Sequence, residues 1–117
     1  MTGPAKQVLI VDDEVDLLAA LSEALADEGY LVETAVNGRE ALDKLPSMGR
    51  PCVMILDLVM PVMTGDELYA EMKADSRFSD IPVIVSTSDP TRSPPGVPVV
   101  RKPFSLNLMF EAVSRFF

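Results

Sequence analysis

Three short apolar runs, each cut off by a polar side chain, constrain the fold of this 117-residue chain more than any other feature. VLIV at 8–11 stops at Asp12–Asp13, CVMIL at 52–56 stops at Asp57, and PVIVS at 82–86 stops at Thr87. A strand that is apolar at every position is buried on both of its faces. Between the runs the pattern changes to helical spacing. Val15, Leu18, Leu21 and Leu25 recur at intervals of three and four, and Gly29 fits the stop of that helix. Residues 30–35 read as a further strand. Asn37, with Glu40 three positions on, reads as an N-cap with a capping-box partner, opening a helix to about Leu45 that Pro46 ends. A helix is expected over 66–74, with Leu68 and Met72 inward. A fifth short strand is expected at 97–100 and a last helix over 106–116, capped by Ser105.

Strands alternating with helices imply right-handed βαβ crossovers and a parallel sheet covered on both sides. The expected fold is an α/β, doubly wound domain occupying residues 1–117 as one unit. Ligand sites in such sheets lie at the carboxyl ends of the strands. The residues that follow the apolar runs are therefore the candidate site: Asp12 and Asp13, Asp57, Thr87 and Lys102. Three carboxylates converging on one rim repel each other unless a cation joins them, and a hard, oxygen-liganded ion such as Mg²⁺ suits them. Such a set fits phosphoryl transfer to a carboxylate, with a metal, a lysine and a hydroxyl sharing the phosphoryl oxygens. Asp57, ending a central strand alone, is the best nucleophile, while the adjacent acids at 12–13 are placed to chelate.

Composition removes competing chemistries. The chain has no histidine, so Ser-His and Cys-His nucleophile pairs and His-ligated zinc are excluded. A formal charge of −8 argues against nucleic-acid binding. The single cysteine, Cys52, offers no internal disulfide and reads as a small buried hydrophobe; a cytoplasmic location is expected. No apolar run reaches the ~18 residues of a membrane span, so no membrane partner is expected. The opening MTGPAKQ is too short and polar for a signal peptide.

Together, DD at 12–13, DLVMP at 57–61 with Gly65, VSTS at 85–88 and KPF at 102–104 resemble the response-regulator receiver family of two-component signalling. The resemblance runs through the whole chain in order. It implies a flavodoxin-like (βα)5 sheet of order 2-1-3-4-5, and phosphorylation of Asp57 by a histidine kinase or phosphotransfer protein. It also implies Mg²⁺ held by Asp12, Asp13, Asp57 and the backbone carbonyl of Val59, with Thr87 and Lys102 on the phosphoryl group and a cis Lys102–Pro103 peptide. On this reading the module catalyses only its own phosphorylation and dephosphorylation, and switches binding to a downstream protein.

Two stretches depart from the family pattern. Only 14 residues separate Thr87 from Lys102, and SDPTRSPPGVP at 88–98 carries four prolines. Proline inside a helix costs about 3 kcal/mol, so the fourth helix is expected to be missing or reduced to a loop. Val99 stands where the family carries its switch aromatic, and Ser88 replaces a small apolar residue. An alternative reading is therefore a phosphorylation-independent pseudo-receiver serving as an interaction module. A haloacid-dehalogenase-like phosphatase would need an aspartate at the position of Val59, which argues against it.

Overall fold

A computed structural model describes residues 6–48 and 52–117; the first five residues of the opening MTGPAKQ lie outside the described residues. Five parallel strands form one sheet in the order β2-β1-β3-β4-β5. They are β1 (Gln7–Val11), β2 (Leu31–Ala35), β3 (Cys52–Leu56), β4 (Val83–Thr87) and β5 (Val99–Arg101). Among the described residues four α-helices accompany them: α1 (Val15–Asp27), α2 (Gly38–Lys44), α3 (Gly65–Ala74) and α4 (Leu106–Ser114). This is the flavodoxin-like arrangement expected from the sequence.

The apolar runs at 8–11 and 52–56 are buried at every position, as their composition demands. On one side of the sheet Leu9, Val11, Met54, Leu56 and Val85 pack with Ala41 of α2 and Leu68 and Met72 of α3. On the other, Val8, Ile10, Ile55, Ile84 and Val100 pack with Leu18, Leu21 and Leu25 of α1 and with Met109 and Val113 of α4. Cys52 is part of the first core. Among the described residues no helix is long and apolar enough to cross a membrane.

Helix ends follow local chemistry. Gly29, at φ 96°, terminates α1; its N–H donates to Ala26 O at 3.0 Å and the N–H of Tyr30 donates to Leu25 O at 3.2 Å. Asn37 caps α2 by accepting from Glu40 N–H at 2.9 Å, while the Glu40 carboxylate reaches back to the N–H of Val36 at 3.3 Å, not to that of Asn37 itself. The reciprocal capping box sits instead on α3, between Thr64 and Glu67. Pro46 lies in a 3₁₀ turn, Leu45–Ser47, into which α2 runs. Ser105 caps α4 through Leu108 N–H at 3.2 Å.

The fifth strand begins two residues later than the sequence suggests. Pro98 has no N–H to give the ladder; its carbonyl accepts from Val85 N–H at 2.9 Å and pairing starts at Val99. Pro82 behaves the same way before β4, accepting from Met54 N–H at 3.0 Å. Between β4 and β5 the chain makes one 3₁₀ turn, Pro90–Arg92, where the alternating pattern calls for a helix. That segment is tied down at both ends: Asp89 N–H donates to Thr87 Oγ1 at 3.1 Å, and Arg92 pairs with Asp66 at 2.9 Å.

Candidate phosphorylation site

Register builds the site. β1 and β3 pair Val11 with Leu56, so the next residues, Asp12 and Asp57, emerge side by side, and Asp57 N–H still donates to Val11 O at 2.9 Å. On the other side β4 pairs Thr87 with Arg101, and Lys102 N–H donates to Thr87 O at 2.9 Å. Lys102 thereby arrives at the same rim, 90 residues from Asp12, and the Lys102–Pro103 peptide that follows it is cis.

Carboxylate oxygens of Asp12, Asp13 and Asp57 lie within 4.8 Å of one another. Asp12 and Asp57 are buried, whereas Asp13 is exposed. The Lys102 ammonium contacts Asp12 at 2.6 Å and Glu14 at 3.1 Å, and stands 3.7 Å from Asp57. Asp12 also accepts from Glu14 N–H at 2.9 Å, and Asp57 from Val59 N–H at 3.4 Å. Burial first, and then the charge of Asp12, push the Asp57 carboxyl up to about 6 against the pull of Lys102. Burial draws the Lys102 ammonium down, but its hydrogen bonds to Asp12 and Glu14 outweigh that and leave it above its ordinary value. At neutral pH the Asp57 carboxyl is therefore still mostly ionised, with the Lys102 ammonium beside it.

These groups open on a cleft of about 600 Å³ lined by Asp13, Asp57, Val59, Ser88 and Lys102, with Leu17 and Phe104 forming an apolar flank. Thr87 is fully buried at the end of β4 and engaged with Asp89 N–H; Ser88, its neighbour, is the residue that faces the cleft. Glu14 was not among the sequence candidates. Its only sequence signal is adjacency to the acidic pair, which a first helical turn also explains.

Asp57 is aimed by the loop that follows it. Gly65 N–H donates to Leu58 O at 3.0 Å, and a Cβ on Gly65 would come within 2.2 Å of the Asp57 carbonyl oxygen. Val62 adopts φ 68° while Met63 N–H bonds to Pro61 O at 2.8 Å, a tight γ-turn that is strained for a β-branched residue. The turn buries Met63 against Gly38 at the start of α2. Val62 itself is 80% exposed and gains little packing in return. Val62→Asn is accordingly expected to raise stability by about 1 kcal/mol. An unchanged or lower urea midpoint would contradict this.

The family model of the response regulator receiver domain matches residues 8–94, and this chain belongs to that family. A receiver domain is a signalling module of two-component response regulators, not a conventional enzyme. Similar curated proteins include the transcriptional regulatory protein PrrA of Mycobacterium tuberculosis, 40% identical over 85 residues, which are 73% of this chain and 34% of that protein. The two-component response regulator ORR5 of rice is 37% identical over 87 residues, covering 74% and 65%. The chain thus spans about a third of the length of its bacterial relatives. Among solved structures, the chemotaxis response regulator CheY4 of Vibrio cholerae superposes with a TM-score of 0.83 at 33% identity, covering 97% of this chain and all of that one. The response regulator TrrA of Thermotoga maritima, determined in complex with Mg²⁺ and BeF, matches with a TM-score of 0.83 at 33% identity, covering 96% and 99%.

Proposed function

We propose that residues 1–117 form a single cytoplasmic phosphoacceptor receiver in which Asp57 takes a phosphoryl group from the phosphohistidine of a histidine kinase or phosphotransfer protein. The observation that carries this reading is the pairing of a buried carboxylate with a lysine 3.7 Å away on the rim of an open cleft. A carboxyl raised to about 6 is still ionised at neutral pH, hence nucleophilic. The Asp57 oxygen attacks phosphorus; the O–P bond forms as the P–N bond breaks, and the imidazole leaves with the electron pair and takes up a proton. Lys102 is close enough to neutralise an oxygen of the transferring group, and the Thr87 hydroxyl, which accepts from Asp89 N–H and keeps its own proton, would donate to another on turning into the cleft.

The donor set fits Mg²⁺, since three oxygen-bearing acids converge with no nitrogen or sulfur ligand among them. Asp12, Asp13 and Asp57 would hold the ion, with the Val59 carbonyl as a further ligand. When bound, it supplies charge neutralisation for the incoming phosphoryl group. The known structure of TrrA with Mg²⁺ and BeF supports this choice of ion. With a charge of −8, the partner surfaces best suited to the chain are basic proteins, not nucleic acid.

Incubation with acetyl phosphate and Mg²⁺, followed by intact mass measurement, is expected to give a species heavier by one phosphoryl group. The species disappears in Asp57→Asn and on chelation of the metal. A wild-type protein that never acquires this mass would favour the phosphorylation-independent interaction module.

A further inference from the structure

We infer that Glu14 is a positioning residue that holds Lys102 back from the phosphoryl acceptor, setting the rate at which Asp57 is modified. The inference rests on the proposed role of Asp57 and concerns how that site is restrained.

Lys102 spans a charged triangle. Its ammonium is in hydrogen-bond contact with Asp12 and Glu14, at 2.6 and 3.1 Å, while Asp57 lies beyond that range at 3.7 Å. The lysine is thus engaged by the two carboxylates that would not carry the phosphoryl group. Asp12 is a fixed part of the frame, buried and held by Glu14 N–H. Glu14 differs, because its side chain is 61% exposed and held by no hydrogen bond from its own helix. It also forgoes the usual work of its position. Glu14 is the N-cap of α1, yet its side chain makes no capping hydrogen bond and crosses instead to Lys102, 88 residues away. An exposed pair of this kind contributes little to fold stability. Its consequence is competitive: each phosphoryl oxygen that recruits Lys102 must displace Glu14.

Two substitutions separate this restraint from simple charge repulsion at the cleft mouth. Glu14→Ala removes both tether and charge. Glu14→Asp keeps the charge, but its side chain is one methylene shorter and, as a favoured N-cap, turns to the helix's own N–H groups. Both variants are expected to be phosphorylated by phosphoramidate about two- to fivefold faster than wild type, the scale set by losing one exposed ion pair. In metal-free protein, labelling of Lys102 by an amine-reactive ester, read by peptide mass, should rise in both by a similar factor. A change in helix stability alone would not move that label. If Glu14→Asp matches wild type in both readouts, or if Glu14→Ala leaves Lys102 labelling unchanged, the inference fails. Absence of any phosphorylated wild-type protein would instead overturn the reading of Asp57.

Discussion

Gly65→Ala is expected to be among the most damaging single-methyl additions in this protein. The added Cβ would lie 2.2 Å from the Asp57 carbonyl oxygen, 2.6 Å from Leu58 Cα and 2.9 Å from the Asp57 carbonyl carbon. All three are backbone atoms at the end of a fully buried strand, so no rotamer change can relieve the clash. Either α3 backs away, losing the Gly65–Leu58 hydrogen bond and the packing of Leu68 and Met72, or the loop carrying Asp57 moves. Overpacking of this kind costs about 3 kcal/mol, and a domain of this size would lose roughly 10 °C or more in melting midpoint. Phosphorylation should fall as well, because the displaced carbonyl belongs to the acceptor residue. Gly38→Ala supplies the internal comparison. Its Cβ would meet Met63 Cγ at 2.7 Å, but a methionine side chain is flexible and can yield. Urea denaturation of the two variants should therefore rank Gly65→Ala well below Gly38→Ala; equal midpoints would show that the close approach at Gly65 is not what holds the loop.

The architecture was legible because its signals are local. Continuous apolar runs marked the buried strands, and the residues just past them marked the rim, so Asp12, Asp13, Asp57 and Lys102 could be brought together by topology alone. This logic reaches Lys102 even though the family match stops at residue 94. The four prolines of 88–98 were equally readable as a break in the helical pattern. Illegible features depend on tertiary context. No local rule places Glu14 on a lysine 88 positions away, and propensity argues against Val62 at φ 68°. The surrounding loop, anchored by Gly65 and by Met63, overrides that preference. Thr87 shows the intermediate case: its place at the strand end was evident, but not its full burial or its engagement by Asp89.

The same crowding that suits the site to a cation should make the metal-free protein measurably strained at neutral pH. Asp57 is raised from 3.8 in a free chain to about 6 in the fold, chiefly by burial and then by Asp12. Between those values the folded protein keeps a proton that the unfolded chain has released. Stability from this group is therefore full below about pH 4, falls as pH rises towards 6, and stays low above it. A shift of this size corresponds to about 3 kcal/mol at most. Asp57→Asn removes the charge while keeping the shape, and is expected to stabilise the metal-free protein by about 2 kcal/mol at pH 7. The advantage should shrink towards zero near pH 4, where wild-type Asp57 is protonated. Millimolar Mg²⁺ should stabilise wild type and leave Asp57→Asn largely unaffected, because only a ligand that prefers the folded state adds to its stability. Urea midpoints for both proteins at pH 4 and pH 7, with Mg²⁺ and with chelator, give eight values that test the whole argument. If the metal-free variant were no more stable than wild type at pH 7, Lys102 would already balance the cluster, and the electrostatic case for a cation at Asp57 would fall.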